Sequence, residues 1–173
     1  MENETITILG IDQGYANLGF AILSYHKKLQ ETHLQETGTI VTTAKQTMPE
    51  RLLHIYEKLQ EIGKRYPDIQ YAACEQLFYN HRMANGRNKS ASIVYTNMST
   101  GVVFLFCGEH GIEICDYPPT SVKKALTGNG KAEKSEIQTV LENFLKKEGK
   151  TVKTNHESDA IAIALTLISK QFS

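Results

Sequence analysis

No apolar run in the sequence approaches the roughly 18 residues that a membrane-spanning helix requires. The opening, Met1 to Glu4, is polar and acidic instead of basic and then apolar, so no secretory leader is expected. Cysteine is scarce. Cys74, Cys107 and Cys115 are odd in number, stand in no CxxC spacing and sit among apolar neighbours, which argues against a disulfide framework or a zinc site. They read as small buried residues in a reducing compartment, and a soluble cytoplasmic protein is the expectation. Repeats, low-complexity segments and Pro/Gly-rich linkers are also missing, so the 173 residues are expected to form one domain, 1–173. Net charge is zero, which argues against a general polyelectrolyte binder.

The charge that is present is unevenly spread. Residues 1–75 carry 7 Lys/Arg against 10 Asp/Glu, whereas residues 76–153 carry 11 against 7, so the middle of the chain is its basic part. Apolar runs at Thr5–Asp12 and Leu18–Tyr25, separated by a turn at Gly14–Asn17, predict an antiparallel strand pair, and a third strand falls within Leu34–Thr42. From Pro49 to Tyr66 the apolar positions Leu52, Leu53, Ile55, Tyr56, Leu59 and Ile62 recur at steps of three and four, the mark of a helix with one buried stripe. A short strand, Ile69–Cys74, closes on Glu75, and the polar, basic loop Asn80–Lys89 follows. Then come a helix over Ser90–Glu109 with Gly111 as its stop, a strand over Ile112–Tyr117, a helix from about Ser135 to Glu148, and a final helix starting near Asn155. The order β-β-β-α-β-α-β-α-α predicts an α/β fold with helices on both faces of a mixed five-stranded sheet. A helical crossover makes the first strand and the strand ending at Glu75 parallel, which puts Asp12 and Glu75 at the same carboxyl edge, where open α/β sheets bind ligands.

Two carboxylates at one crevice repel each other, and desolvation sharpens the repulsion, unless a cation stands between them. Oxygen ligands with positions left for water suit Mg²⁺, or Mn²⁺ as a substitute. In "TNHESDAIAIAL" His156 and Asp159 are three apart and share a helical face, while Thr154 and Glu157 have the spacing of a capping box. The helix after Asp159 is apolar on nearly every side and should be buried, carrying the acid inward. The plainer readings are a turn residue for Asp12 and helix-dipole compensation for the acids of the last helix.

Four stretches, "ILGIDQG", "EQLF", "VKKALTGNGKAEKSEIQ" and "HESDAIAIAL", in this order and spanning Ile8 to Leu167, resemble the RuvC-type Holliday junction resolvases, which have the ribonuclease H-like fold. The resemblance implies a structure-selective endonuclease that hydrolyses phosphodiesters of four-way junctions with two Mg²⁺ or Mn²⁺ ions per site. Its acidic metal ligands fall on Asp12, Glu75 and Asp159, and His156 occupies a fourth ligand position. It implies base contact by Phe78 and DNA-facing roles for Lys123 and Lys134, with simple core packing and solvation as the plainer alternatives. It further implies a homodimer, for which the stripe Ala91, Val94, Met98, Gly101, Val102 and Leu105 is the candidate two-fold contact, packing on the protein's own sheet being the alternative. Against the family pattern, Gln13 replaces a usual proline, and the region after Phe78 carries a longer basic insertion with Arg82, Arg87 and Lys89, assigned here to DNA. These departures leave open the cleavage preference and any docking to a branch-migration helicase. Rival readings are a non-catalytic branched-DNA-binding module, a nuclease of broader flap and branch specificity, and a nucleotide-binding ATPase sharing the GID-x-G turn. That last architecture needs two such domains, and 173 residues supply one.

Overall fold

The computed structural model describes residues 4–76 and 87–172, with backbone only for 87–92. Five strands, β1 (Thr5–Asp12), β2 (Asn17–His26), β3 (Glu31–Val41), β4 (Ile69–Glu75) and β5 (Glu113–Tyr117), form one sheet in the order β3-β2-β1-β4-β5. β1 pairs antiparallel with β2 and parallel with β4, in a register that sets Ile11 beside Cys74, so Asp12 and Glu75 leave the sheet at one edge as expected. β4 and β5 are also parallel. The helices are α1 (Met48–Arg65), α2 (Arg87–His110), α3 (Pro119–Thr127), α4 (Lys134–Glu148) and α5 (Asn155–Gln171).

Two points differ from the sequence reading. Pro118–Gly128 holds a helix, α3, one element more than the expected order, and α2 begins at Arg87, inside the segment read as a loop. Phe78 and Arg82 lie outside the described residues, whereas the backbone of Arg87 and Lys89 belongs to the first turn of α2. Among the described residues no helix is long and apolar enough to cross a membrane.

Strand alternation divides the core between the two faces of the sheet. Ile6 and Ile8 point toward α4 and α5, packing with Leu141, Leu145, Ala160, Ile161 and Leu167. Leu9 and Ile11 point the other way, against Ile55, Leu59 and Ile62 of α1 and Val103, Phe106 and Cys107 of α2. α1 starts on a reciprocal cap: the Thr47 backbone N–H donates to the Glu50 carboxylate at 2.6 Å, and the helix ends just before Pro67, which disfavours a helical residue ahead of it. α2 does not turn its whole apolar stripe to the sheet, because Val94, Met98 and Leu105 remain 48%, 36% and 56% exposed. The three cysteines are free, and burial pushes the thiols of Cys74 and Cys107 up to about 12, which leaves both inert at neutral pH.

The helix that completes the site rests directly on strand backbone. A Cβ at Gly10 of β1 would stand 2.1 Å from the Ala160 carbonyl oxygen and 2.8 Å from the Ala164 Cβ, and one at Gly19 of β2 would stand 2.1 Å from the His156 carbonyl oxygen. Only glycine permits this approach. Gly10→Ala is therefore expected to destabilise the protein by ~2–4 kcal/mol in chemical denaturation, as severe overpacking does. Gly108→Ala in α2, where a Cβ meets nothing within 4 Å, is expected to be neutral or to stabilise by up to ~1 kcal/mol. Equal effects at the two positions would contradict the packing described.

Candidate active site

Asp12, at the carboxyl end of β1, is reached by the first turn of α5. Nδ1 of His156 stands 2.6 Å from Oδ2 of Asp12, and since an ionised carboxylate can only accept, Nδ1 carries the proton. The imidazole is 42% exposed and the Asp12 side chain 19%, so the pair sits at the mouth of the site. One helical turn on, Asp159 comes close enough to Asp12 for their charges to interact, and Glu75 feels both. The expected set is thus brought to one edge of the sheet.

All three carboxyls are pushed above their ordinary range, with desolvation the largest cause in each. For Asp12 the hydrogen bond from His156 opposes the rise and the charge of Asp159 adds to it. For Glu75 the charges of Asp12 and Asp159 add to burial, and among the described residues no group opposes the rise. Lys134, the first residue of α4, opposes the rise at both Asp12 and Asp159. Lys123 of α3 and Lys134 both line a cavity of about 440 Å³ that also takes in Glu75 and Asp159 and runs inward over Ile137, Leu141 and Ala162.

α5 starts at Thr154, whose hydroxyl accepts from the Glu157 backbone N–H at 3.2 Å. Glu157 takes the Lys153 N–H, at 3.1 Å, where a full capping box would take that of Thr154. The half-box still holds the first turn firmly, with Glu157 buried, and that turn carries His156.

Among the described residues, no three His, Cys, Asp or Glu side chains are already drawn around one point as metal ligands are. The donor set nevertheless suits a hard divalent cation: carboxylate oxygens raised in pKa by burial and mutual charge, with one imidazole beside them. A cation there would relieve the charge that burial now penalises.

The sign of the effect is testable at Glu75. Its folded-state carboxyl lies above its ordinary value, so the cost of ionised Glu75 is present at neutral pH and disappears as pH falls through the folded pKa. Glu75→Gln is expected to raise the metal-free melting temperature at pH 7 by about 1–3 °C. The gap should close below about pH 4, where both states are protonated. A lower melting temperature for the variant at pH 7 would contradict the assigned repulsion.

Known proteins resemble this chain over nearly its whole length. The family model of crossover junction endodeoxyribonuclease RuvC matches residues 8–167. The RuvC protein of Petrotoga mobilis is 35% identical over 159 residues, 92% of this chain and 91% of its own length. The Thermus thermophilus RuvC structure is similar with a TM-score of 0.77 at 25% identity, over 95% of this chain and 94% of that one. T. thermophilus RuvC in complex with Holliday junction substrate gives a TM-score of 0.76 at 25% identity, over 93% and 92%. The match begins within β1, ahead of Asp12, and ends in α5, beyond Asp159, so it takes in every element that converges on the carboxylates: the chain belongs to the RuvC family of crossover junction endodeoxyribonucleases.

Proposed function

We propose that the protein resolves four-way DNA junctions by metal-dependent hydrolysis of a phosphodiester in each of two opposed strands. The observation that carries this reading is the convergence of Asp12, Glu75, Asp159 and His156 at one sheet edge in a chain of this family. Asp12, Glu75 and Asp159, with His156 beside them, would hold two Mg²⁺ or Mn²⁺ ions. When bound, such ions polarise the phosphate, make water a nucleophile at neutral pH and stabilise the leaving oxygen.

The chain's own groups supply the rest. With Nδ1 committed to Asp12, the partly exposed His156 presents Nε2 as a lone-pair donor, able to ligate or to take a proton from water. Lys123 and Lys134, beside Glu75 and Asp159, give a scissile strand's phosphates a cationic seat. Arg87 and Lys89, whose backbone opens α2, and Phe78 and Arg82 of the preceding segment extend the proposed DNA contact. The exposed stripe Val94, Met98 and Leu105 includes Gly101, where a Cβ would meet nothing within 4 Å, and this supports a two-fold contact between copies of the chain. Two sites so related would face two strands of one junction.

The alternative reading is junction binding without cutting. The two separate on synthetic four-way junctions. With Mg²⁺ or Mn²⁺ the parent is expected to cut, and Asp12→Asn and Glu75→Gln to cut at least ~10²-fold more slowly with binding retained. No nicking by the parent under either ion would favour the binding module. Junction affinity is expected to fall linearly on a log–log plot against salt, and Lys123→Ala and Lys134→Ala each to reduce the slope by about 1. A slope unchanged in both variants would remove these lysines from the DNA contact.

A further inference from the structure

Next to the carboxylates stands an assembly that the cleavage chemistry leaves unused, built around Tyr15 in the turn between β1 and β2. The Tyr15 ring stacks on Tyr95 of α2, with centroids 4.9 Å apart and planes 16° from parallel. The Arg51 guanidinium of α1 lies 3.8 Å from the centroid of the same ring. That guanidinium also donates from Nη2 to the Tyr15 carbonyl at 3.4 Å and from Nε to the Thr42 hydroxyl at 2.8 Å. The Thr42 hydroxyl in turn donates to the Tyr15 carbonyl at 2.6 Å, and the Thr42 N–H to the Ala16 carbonyl at 2.8 Å. Ring and backbone of the turn are both clamped.

The turn has little slack of its own. A Cβ at Gly14 would stand 2.0 Å from the Asn17 carbonyl oxygen, so the turn closes tightly on itself two residues after Asp12 and admits no side chain there. The far end of the stack is less anchored. Among the described side chains of α2, Ser99, Thr100, Val103, Phe106 and Cys107 are buried, whereas Val94, Tyr95 and Met98 are exposed. Tyr95 is the point at which this outer part of α2 reaches back to the turn. It is the chain neighbour of Val94 and lies three residues from Met98, the same stripe that carries the proposed two-fold contact.

We propose that Tyr15, Arg51 and Tyr95 are positioning residues that fasten the Asp12 turn to α2, so that immobilising α2 in the assembled dimer steadies Asp12 for cutting. This rests on the reading of the protein as a dimeric junction nuclease. The aromatic contact needs the Tyr95 ring and not its hydroxyl.

The test compares the full chain with Tyr95→Ala and Tyr95→Phe. Single-turnover cleavage of a four-way junction, at saturating protein and Mg²⁺, is expected to fall about tenfold in Tyr95→Ala, as small misplacements of reacting groups do. Junction affinity and sedimentation as a dimer should be unchanged, and Tyr95→Phe should return to within about twofold of the parent. Amide hydrogen exchange over residues 13–17 should quicken in Tyr95→Ala and not in Tyr95→Phe. The exchange measurement needs no cleavage, so a parent that cuts no junction would count against the nuclease reading while the stack is still judged. Parental exchange over 13–17 in Tyr95→Ala, or a cleavage loss that merely tracks lost binding or lost dimer, would overturn the inference.

Discussion

The last helix lies on β1 and β2 so closely that the carbonyl oxygens of Ala160 and His156 stand where side-chain carbons of Gly10 and Gly19 would be. That contact decides what the site can be. With two strand residues reduced to backbone, the start of α5 drops to the carboxyl edge of the sheet, and His156 arrives within hydrogen-bonding distance of an aspartate 144 positions earlier in the chain. The same descent brings Asp159 into the field of Asp12 and Glu75. The parallel register of β1 with β4 does the remaining work, since it fixes Glu75 beside Asp12 without any loop between them.

Such an arrangement is unfavourable for the fold taken alone. Burial raises all three carboxyls, and among the described residues the groups that oppose the rise, His156 at Asp12 and Asp159 and Lys134 at the same two, do not act on Glu75. A protein selected only for stability would replace these acids by neutral residues of similar shape. Their placement together at one edge, beside a cavity with lysines on its wall, is the feature on which the proposed cation and phosphate site rests.

Much of this was legible in the sequence because it depended on local pattern. Apolar runs marked β1 and β2, the stripe at steps of three and four marked α1, and the endings of apolar runs on Asp12 and Glu75 marked the ligand edge. The nearly all-apolar stretch after Asp159 announced a buried helix, and it is one. α3 escaped because nine residues beginning at the second of two prolines give too short a period to read, and its helix depends on packing with α5. The start of α2 escaped because Arg87 and Lys89 look like solvated loop. The Asp12–His156 bond and the Tyr15 stack join residues far apart in the chain, and no local spacing encodes either. On α2, the sequence stripe alone did not tell a sheet-facing side from an outward one; Val94, Met98, Gly101 and Leu105 are exposed, Val102 packs against the core under α2, and the Ala91 side chain lies outside the described residues.

The central claim, that buried carboxylates crowd one another until a divalent cation separates them, is tested most directly by following the side-chain carboxyls of Asp12, Glu75 and Asp159 through a pH titration by carbon NMR, without metal and with saturating Mg²⁺. The account predicts metal-free pKa values above the ordinary 3.8 for the aspartates and 4.5 for the glutamate, and a fall in all three when Mg²⁺ is added. Ordinary values that do not respond to Mg²⁺ would contradict it.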